Sequence, residues 1–436
     1  LDVASDQQLL DQRVKDMPGV GIILGVIDDG KTTVYKAGTS GTSRPLDEHT
    51  LFEIGSVTKT FTATILAEMV LDRSVNLDDP VARYLPADAH VPSLDGKQIT
   101  LLNLATQHSG LPRLPTNLRP ADPGDPYADY TMADLYRFLD SYTLTREPGE
   151  QFEYSNVGIG LLGDALANRE HASYAQLLRT RVLSRLVMNE TTTSLTPNLR
   201  DRLAAAHDAD GDPVKPWTFQ AIAPAGAVIS SMSDMLKYLR ANMWQGPLAK
   251  VCLFAQEPRE TLPGARVGLV WFTEDVTDIV WHNGSTIGYQ AAIVISQDHQ
   301  KGAVVLTNGG ISPDDIAIHA IDPAIPVAQV PASIQLDATT LESYVGTYVG
   351  PDDLTFTVTH TDDRLMAQLS GQDAYRIYPS SKDHFFYRVV DAQIDFTRGV
   401  GGVVNALVLH QGGKDLTFVN QEIAAPPSAP SVYRSP

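Results

Sequence analysis

Apolar and polar positions change their rhythm twice along this chain. Val20–Ile27 and Thr32–Ala37 read as two strands joined at Asp28-Asp29-Gly30, a hairpin signal. Helical spacing follows: Phe61, Ile65, Leu66 and Met69 recur on one face of a run that begins just after Lys59. Thr100 is placed to cap a short helix ending near His108-Ser109-Gly110, and Thr131 or Asp134 opens another through Leu139. Asn156–Ala167, Tyr174–Leu186 and, with Ser233 as N-cap, Asp234–Met243 also read as helices. Between Leu111 and Tyr130 a stretch rich in Pro, Gly and Asp has no apolar period and is expected to be a long surface loop. Strand character returns at Val267–Phe272, Asp278–His282, Tyr289–Ile295 and Ala303–Leu306, before a last helix over Asp314–Ala320. Strands, then helices, then strands predict one antiparallel sheet built from both ends of this region, with a helical insertion between them.

Residues 323–337 carry Pro323, Pro326 and Pro331 and read as a linker after a first domain over 1–322. Beyond it seven short apolar runs, from Thr355–Thr359 to Leu416–Asn420, recur at regular spacing and predict a small barrel or sandwich over 338–423. The Pro/Ser-rich end, 424–436, is expected to be a disordered tail.

Composition narrows the function classes. A chain of 436 residues is long enough for two domains. Its formal charge of −19 disfavours nucleic acid and anionic membranes as partners. Cys252 is the one cysteine, so an internal disulfide and a Cys-rich metal site are both ruled out. No run is long and apolar enough to span a bilayer. No His-Glu-x-x-His, phosphate loop or Gly-x-Ser-x-Gly stands in a suitable context, so neither a metal nor another cofactor is expected. The chain begins at Leu1 without Met, which fits a removed signal peptide. The expected location is periplasmic or secreted, with the cytoplasm left open.

The candidate chemistry starts at Ser56 and Lys59. Residues three apart on a helix share a face, so the amine can reach the hydroxyl. Serine needs an adjacent base to act as a nucleophile, and a lysine serves if burial or a neighbouring cation lowers its pKa. Tyr154-Ser155-Asn156 follows about a hundred residues later, just before a helix. His282-Asn283-Gly284-Ser285 comes at the end of a predicted strand. Each motif alone is weak: taken singly, Tyr154 reads first as a packed aromatic, His282 as a satisfied core or surface histidine, and His108 as structural, a cap or a core hydrogen bond.

Together, Ser-x-x-Lys, Tyr-x-Asn and His-x-Gly in this order resemble the serine β-lactamase and penicillin-binding-protein superfamily. The similarity is to the class C β-lactamase branch with its D,D-carboxypeptidase, D-aminopeptidase and esterase relatives, over roughly residues 15–320. The resemblance implies an α/β (α+β) β-lactamase-like fold, with helices flanking the sheet and a helical subdomain. It implies Ser56 as the acylated nucleophile and Lys59 with Tyr154 as the base system. Asn156 would bind the substrate amide and help fix Lys59. His282, Asn283, Gly284 and Ser285 would line the substrate strand, with Gly284 letting substrate lie close. Backbone N–H groups of Ser56 and Ser285 would form the oxyanion hole. The expected ligand is a small molecule, peptide or β-lactam. Class C β-lactamases have Lys-Thr-Gly where this chain has His282-Asn283-Gly284, so carboxylate attraction should be weaker here unless His282 is protonated. A protein that acylates and turns over slowly, such as a penicillin-binding sensor, is the alternative. Tyr344-Val345-Gly346-Thr347-Tyr348 opens a segment that resembles the lipocalin-like barrel of many such hydrolases. That barrel would edge the active site, or would stabilise the chain or form a homodimer.

Overall fold

A computed structural model describes residues 5–15, 17–328, 333–351, 354–361 and 364–421. The tail expected at 424–436 and residues 329–332 of the expected linker lie outside them. The chain divides into two compact units, residues 1–327 and 328–436.

In the first unit, β1 (Gly21–Asp28) and β2 (Lys31–Gly38) form the expected hairpin. β3 (Leu51–Glu53) stands apart and pairs with a later strand. β4 (Ser93–Leu94) and β5 (Lys97–Gln98) make a minor hairpin. β6 (Ile229–Ser231) is the partner of β3. Then come β7 (Glu260–Leu262), β8 (Ala265–Val267), β9 (Phe272–Glu274), β10 (Val280–Ser285), β11 (Gln290–Ile295) and β12 (Lys301–Thr307). The sheet runs β2-β1-β12-β11-β10-β9-β8-β7, antiparallel throughout, with Leu24 opposite Val305 and Gly284 opposite Ala291. It is therefore built from both ends of the unit, as the order of patterns predicts.

Successive strand residues face opposite sides, and here both sides are buried. Ile23 and Ile27 of β1 enter the large core shared with the helical insertion. Ile22, Leu24 and Val26 enter a second core under the helices Asp6–Val14 and Asp314–Ile321. Two covered faces explain why the strand reads as a continuous apolar run. The helix Thr58–Leu71 is likewise buried along nearly its whole length, from Thr58 to Met69.

Several boundaries move from the sequence reading. Ser231, not Ser233, caps the helix Met232–Asn242, its side chain accepting from the Asp234 N–H. Thr131 opens Met132–Ser141 through a capping box with Asp134. The expected strand Val267–Phe272 is broken, because Val270 turns the backbone to φ +57° between β8 and β9. The helix expected over Tyr174–Leu186 is regular only to Leu178 and then widens into a π turn over Arg179–Leu183. The 111–130 segment is not confined to the surface: Leu111, Tyr127 and Tyr130 are buried in the core. Its side chains seat one at a time, held by bonds such as Tyr130 Oη to Asn117 Oδ1 at 2.9 Å, so no period marks them.

The second unit is a closed barrel of eight antiparallel strands: β13 (Gly346–Val349), β14 (Thr355–Thr361), β15 (Arg364–Leu369), β16 (Tyr375–Pro379), β17 (His384–Phe386), β18 (Ala392–Arg398), β19 (Val404–Gln411) and β20 (Lys414–Asn420). Seven of these stand where short strands were predicted, and β13 closes the ring between β14 and β20. The barrel is filled with side chains, Tyr344, Tyr348, Phe356, Phe385 and Phe418 among them. That matches what an eight-stranded barrel has room for.

Candidate active site

The Ser56 turn is set by two glycines. Gly55 has φ +47°, and a Cβ on it would lie 2.6 Å from the Ser285 nitrogen. A Cβ on Gly284 would overlap the Ile54 carbonyl oxygen and lie 2.7 Å from the Ser56 nitrogen. The absence of both side chains lets the end of β10 press against the 3-10 turn Gly55–Val57. The Ser56 and Ser285 backbones are thereby brought side by side. The open position at Gly284 faces this turn, so the close approach that requires glycine is made by protein backbone rather than by substrate.

Lys59 Nζ lies 2.8 Å from Ser56 Oγ and donates to the Ala225 carbonyl at 2.9 Å. The side chain is fully buried, and burial followed by the nearby Arg113 cation holds its pKa well below the ordinary lysine value. Ala225, rather than Asn156, anchors the amine. The Tyr154 ring lies near two basic groups: Lys59 Nζ is 4.8 Å from its centroid and the Arg113 guanidinium carbon 5.3 Å. Arg113 escapes sequence reading because it lies in the aperiodic 111–130 segment.

Tyr154 and Asn156 are delivered together by the start of the helix Asn156–Arg169. Ser155 caps that helix, accepting from Gly158 N–H at 2.9 Å and donating to the Pro112 carbonyl at 2.6 Å. Asn156 N–H donates to the Arg113 carbonyl at 2.9 Å, so the motif and the 107–113 segment are tied together. His108 is part of this scaffold, buried with Nδ1 2.7 Å from the Thr106 carbonyl.

The His282 motif divides. His282 is 1% exposed and its ring packs 5.7 Å from Phe272 and 6.5 Å from Tyr154. Burial, then the Lys59 amine, push its pKa down to about 3, so the imidazole is neutral at physiological pH. Asn283, one residue on, is turned to the opposite face of the sheet by strand alternation. There its amide donates to Asp314 Oδ2 at 2.5 Å, at the start of the helix Asp314–Ile321. Its expected place in the substrate site is therefore corrected. The Asp314 carboxyl is half-buried, and desolvation pushes it up to about 6.

A cleft opens beside Ser56, lined by Ser56, Asn156 and Ser285 and walled by Tyr127, Trp217, Phe219 and Ile222. Tyr127 stacks on Phe219 with centroids 5.2 Å apart and meets Trp217 edge-on at 5.3 Å. These aromatics carry no periodic signal, and only the fold collects them. Among the described residues, the one group of three acidic or metal-ligating side chains close enough to share a cation is Asp208, Asp210 and Asp212. No helix among the described residues is long and apolar enough to cross a membrane.

The site thus sets a buried amine against a serine hydroxyl, on a helix start packed against an antiparallel strand end. The family profile described as Beta-lactamase matches residues 7–323, and the chain belongs to that family. A profile for a domain of unknown function, DUF3471, matches residues 331–425. The chain is 30% identical over 260 residues to a beta-lactamase of Pseudomonas fluorescens, covering 58% of this chain and 68% of that one. It is 32% identical over 225 residues to the D-alanyl-D-alanine-carboxypeptidase/endopeptidase AmpH of Escherichia coli (strain K12), covering 49% of this chain. That alignment spans only 55% of the Escherichia coli protein. The fold is shared with the beta-lactamase/D-alanine carboxypeptidase of Yersinia pestis (TM-score 0.59, 24% identity, 71% of this chain and 94% of the other). It is also shared with a class C beta lactamase of Rhodobacter sphaeroides (TM-score 0.60, 24% identity, 72% and 96%).

Proposed function

We propose that Ser56 attacks the carbonyl of a small ester or amide carrying an apolar acyl group, and that water then releases the acyl-enzyme. The observation that carries this reading is Lys59 Nζ at 2.8 Å from Ser56 Oγ, buried and with a lowered pKa. A neutral amine there accepts the serine proton as the C–O bond forms. Tyr154, between Lys59 and Arg113, passes that proton to the leaving group. The carbonyl oxygen takes its negative charge against the Ser56 and Ser285 N–H groups, each worth on the order of 3 kcal/mol in the transition state. Asn156, on the cleft wall, binds the substrate amide.

The preference for uncharged substrates rests on His282. A buried neutral imidazole supplies no fixed cation for a β-lactam or peptide carboxylate, and the wall of the cleft is aromatic. Arg113 favours a second reading. Its guanidinium beside Tyr154 could meet the carboxylate of a D-alanyl peptide, the class of substrate in the Escherichia coli relative's name. We read the barrel as a lipocalin-like stabilising module.

Initial rates and burst size on a p-nitrophenyl ester, a D-alanyl-D-alanine peptide and a chromogenic cephalosporin test these readings, with Ser56→Ala as the blank. Ester turnover that dominates and is lost in the variant supports the first. Peptide turnover lost in Arg113→Ala supports the second. A stoichiometric burst with a long-lived adduct would make the chain a slow, sensor-like acceptor. Turnover surviving Ser56→Ala would sink the mechanism.

A further inference from the structure

Glu53 ends β3, three residues before Ser56, and is 2% exposed. Its Oε1 accepts from the Trp217 backbone N–H at 2.7 Å. The next amide, Thr218 N–H, donates to Asp125 Oδ1 at 2.7 Å, and the Thr218 hydroxyl donates to Asp125 Oδ2 at 2.6 Å. Two carboxyl groups therefore hold successive amides of the segment that carries Trp217 and Phe219, the aromatic wall of the cleft.

The two differ in what surrounds them. Asp125 is partly exposed. Glu53 is enclosed, and the titratable groups that face it are the Asp125 carboxylate and the Tyr289 phenol, with no cation to balance a charge. An unpaired buried carboxylate is costly, so such a group stays protonated. Burial first, with Asp125 adding to it, pushes Glu53 up to about 8. Its second oxygen, Oε2, is buried against the Thr286 hydroxyl, with which it pairs. Thr286 directly follows Ser285, whose N–H reaches the Ser56 turn.

We propose that Glu53 is a positioning residue that works as a neutral acid: through Trp217 and Thr286 it locks the aromatic wall and the Ser285 strand end to the strand that delivers Ser56, and its ionisation unlocks them. The inference rests on Ser56 being the nucleophile. It makes Glu53 an alkaline limit on binding of the acyl group, separate from the acidic limit that protonation of Lys59 would set.

The test is the pH dependence of kcat and KM between about pH 6 and 10 on a p-nitrophenyl ester of an aromatic acid, with spontaneous hydrolysis subtracted. Tryptophan fluorescence is followed over the same range. In wild type, kcat/KM should fall about tenfold per pH unit above a limb near 8, chiefly through KM, and fluorescence should shift with the same midpoint. Glu53→Gln still accepts from Trp217 and donates to Thr286, so it should abolish both the limb and the fluorescence step. Glu53→Ala should lose roughly 10- to 100-fold in kcat/KM at pH 7, and Gln should restore most of it. A limb that persists in Glu53→Gln would assign it to Tyr154 and overturn the proposal. So would the absence of any fluorescence transition near pH 8 in wild type, whether or not a variant folds. Labelling of Ser56 by a fluorophosphonate, read by mass spectrometry, checks the nucleophile independently. A missing adduct there would condemn the reading of Ser56 rather than that of Glu53.

Discussion

The two units use the same strand alternation to opposite ends. In β11 both faces are covered: Ala291, Ile293 and Ile295 enter the core shared with the helical insertion, while Ala292 and Val294 enter the core on the other side. In β18 one face is covered and one is wet: Ala392, Ile394 and Phe396 fill the barrel, while Gln393 and Asp395 stay partly exposed. Titratable groups follow the same division. The first unit encloses Glu53, Lys59 and His282, each moved away from its ordinary pKa chiefly by burial. The barrel places His384, Asp395, His410 and Asp415 on its partly exposed surface, where they contact one another in a chain. Perturbed groups mark the places where a fold has excluded water around chemistry.

Substitutions on either side sharpen this contrast. Ser56→Ala has the largest expected effect, on the order of 10⁶ in kcat with an unchanged melting temperature. Thermal unfolding beside turnover separates the two quantities. Phe385→Ala empties a fully buried site inside the barrel and should cost about 3–5 kcal/mol in a denaturant titration. Ester turnover well below the unfolding temperature should be unaffected, and a loss there would give the barrel a share in the reaction. Gly284→Ala forces β10 away from the Ile54–Val57 backbone. Its expected cost is about 1–3 kcal/mol in stability. The displaced Ser285 N–H should also lower kcat, by up to roughly 10²-fold.

The smallest effect is His410→Asn. His410 is raised above 6.5, first by its bond to Asp415 and then by Asp395. A raised histidine contributes stability that is complete below 6.5 and is lost as pH rises through the folded-state value. The variant should therefore lose stability at pH 5.5 but not at pH 9, and by less than about 1 kcal/mol, because the cluster is partly solvated. A larger loss would mean that the barrel surface is not as wet as its burial indicates.

The sequence by itself determined the elements whose physics is local. The Ile22–Ile27 run is a strand because both its faces are covered, Thr100 and Thr131 cap their helices, and seven barrel strands stand at their predicted spacing. Ser56 and Lys59 could be paired because three residues of helix fix their separation. What needed the tertiary structure was every relation between distant segments. The depressed lysine depends on burial and on Arg113, which no spacing connects to it. The neutrality of His282 and the turning away of Asn283 follow from which strand face meets which layer. Tyr127, Trp217 and Phe219 meet only because two aperiodic segments close over the same cleft. Desolvation and side-chain convergence depend on everything packed around a site, so they are properties of the folded chain and leave no period along it.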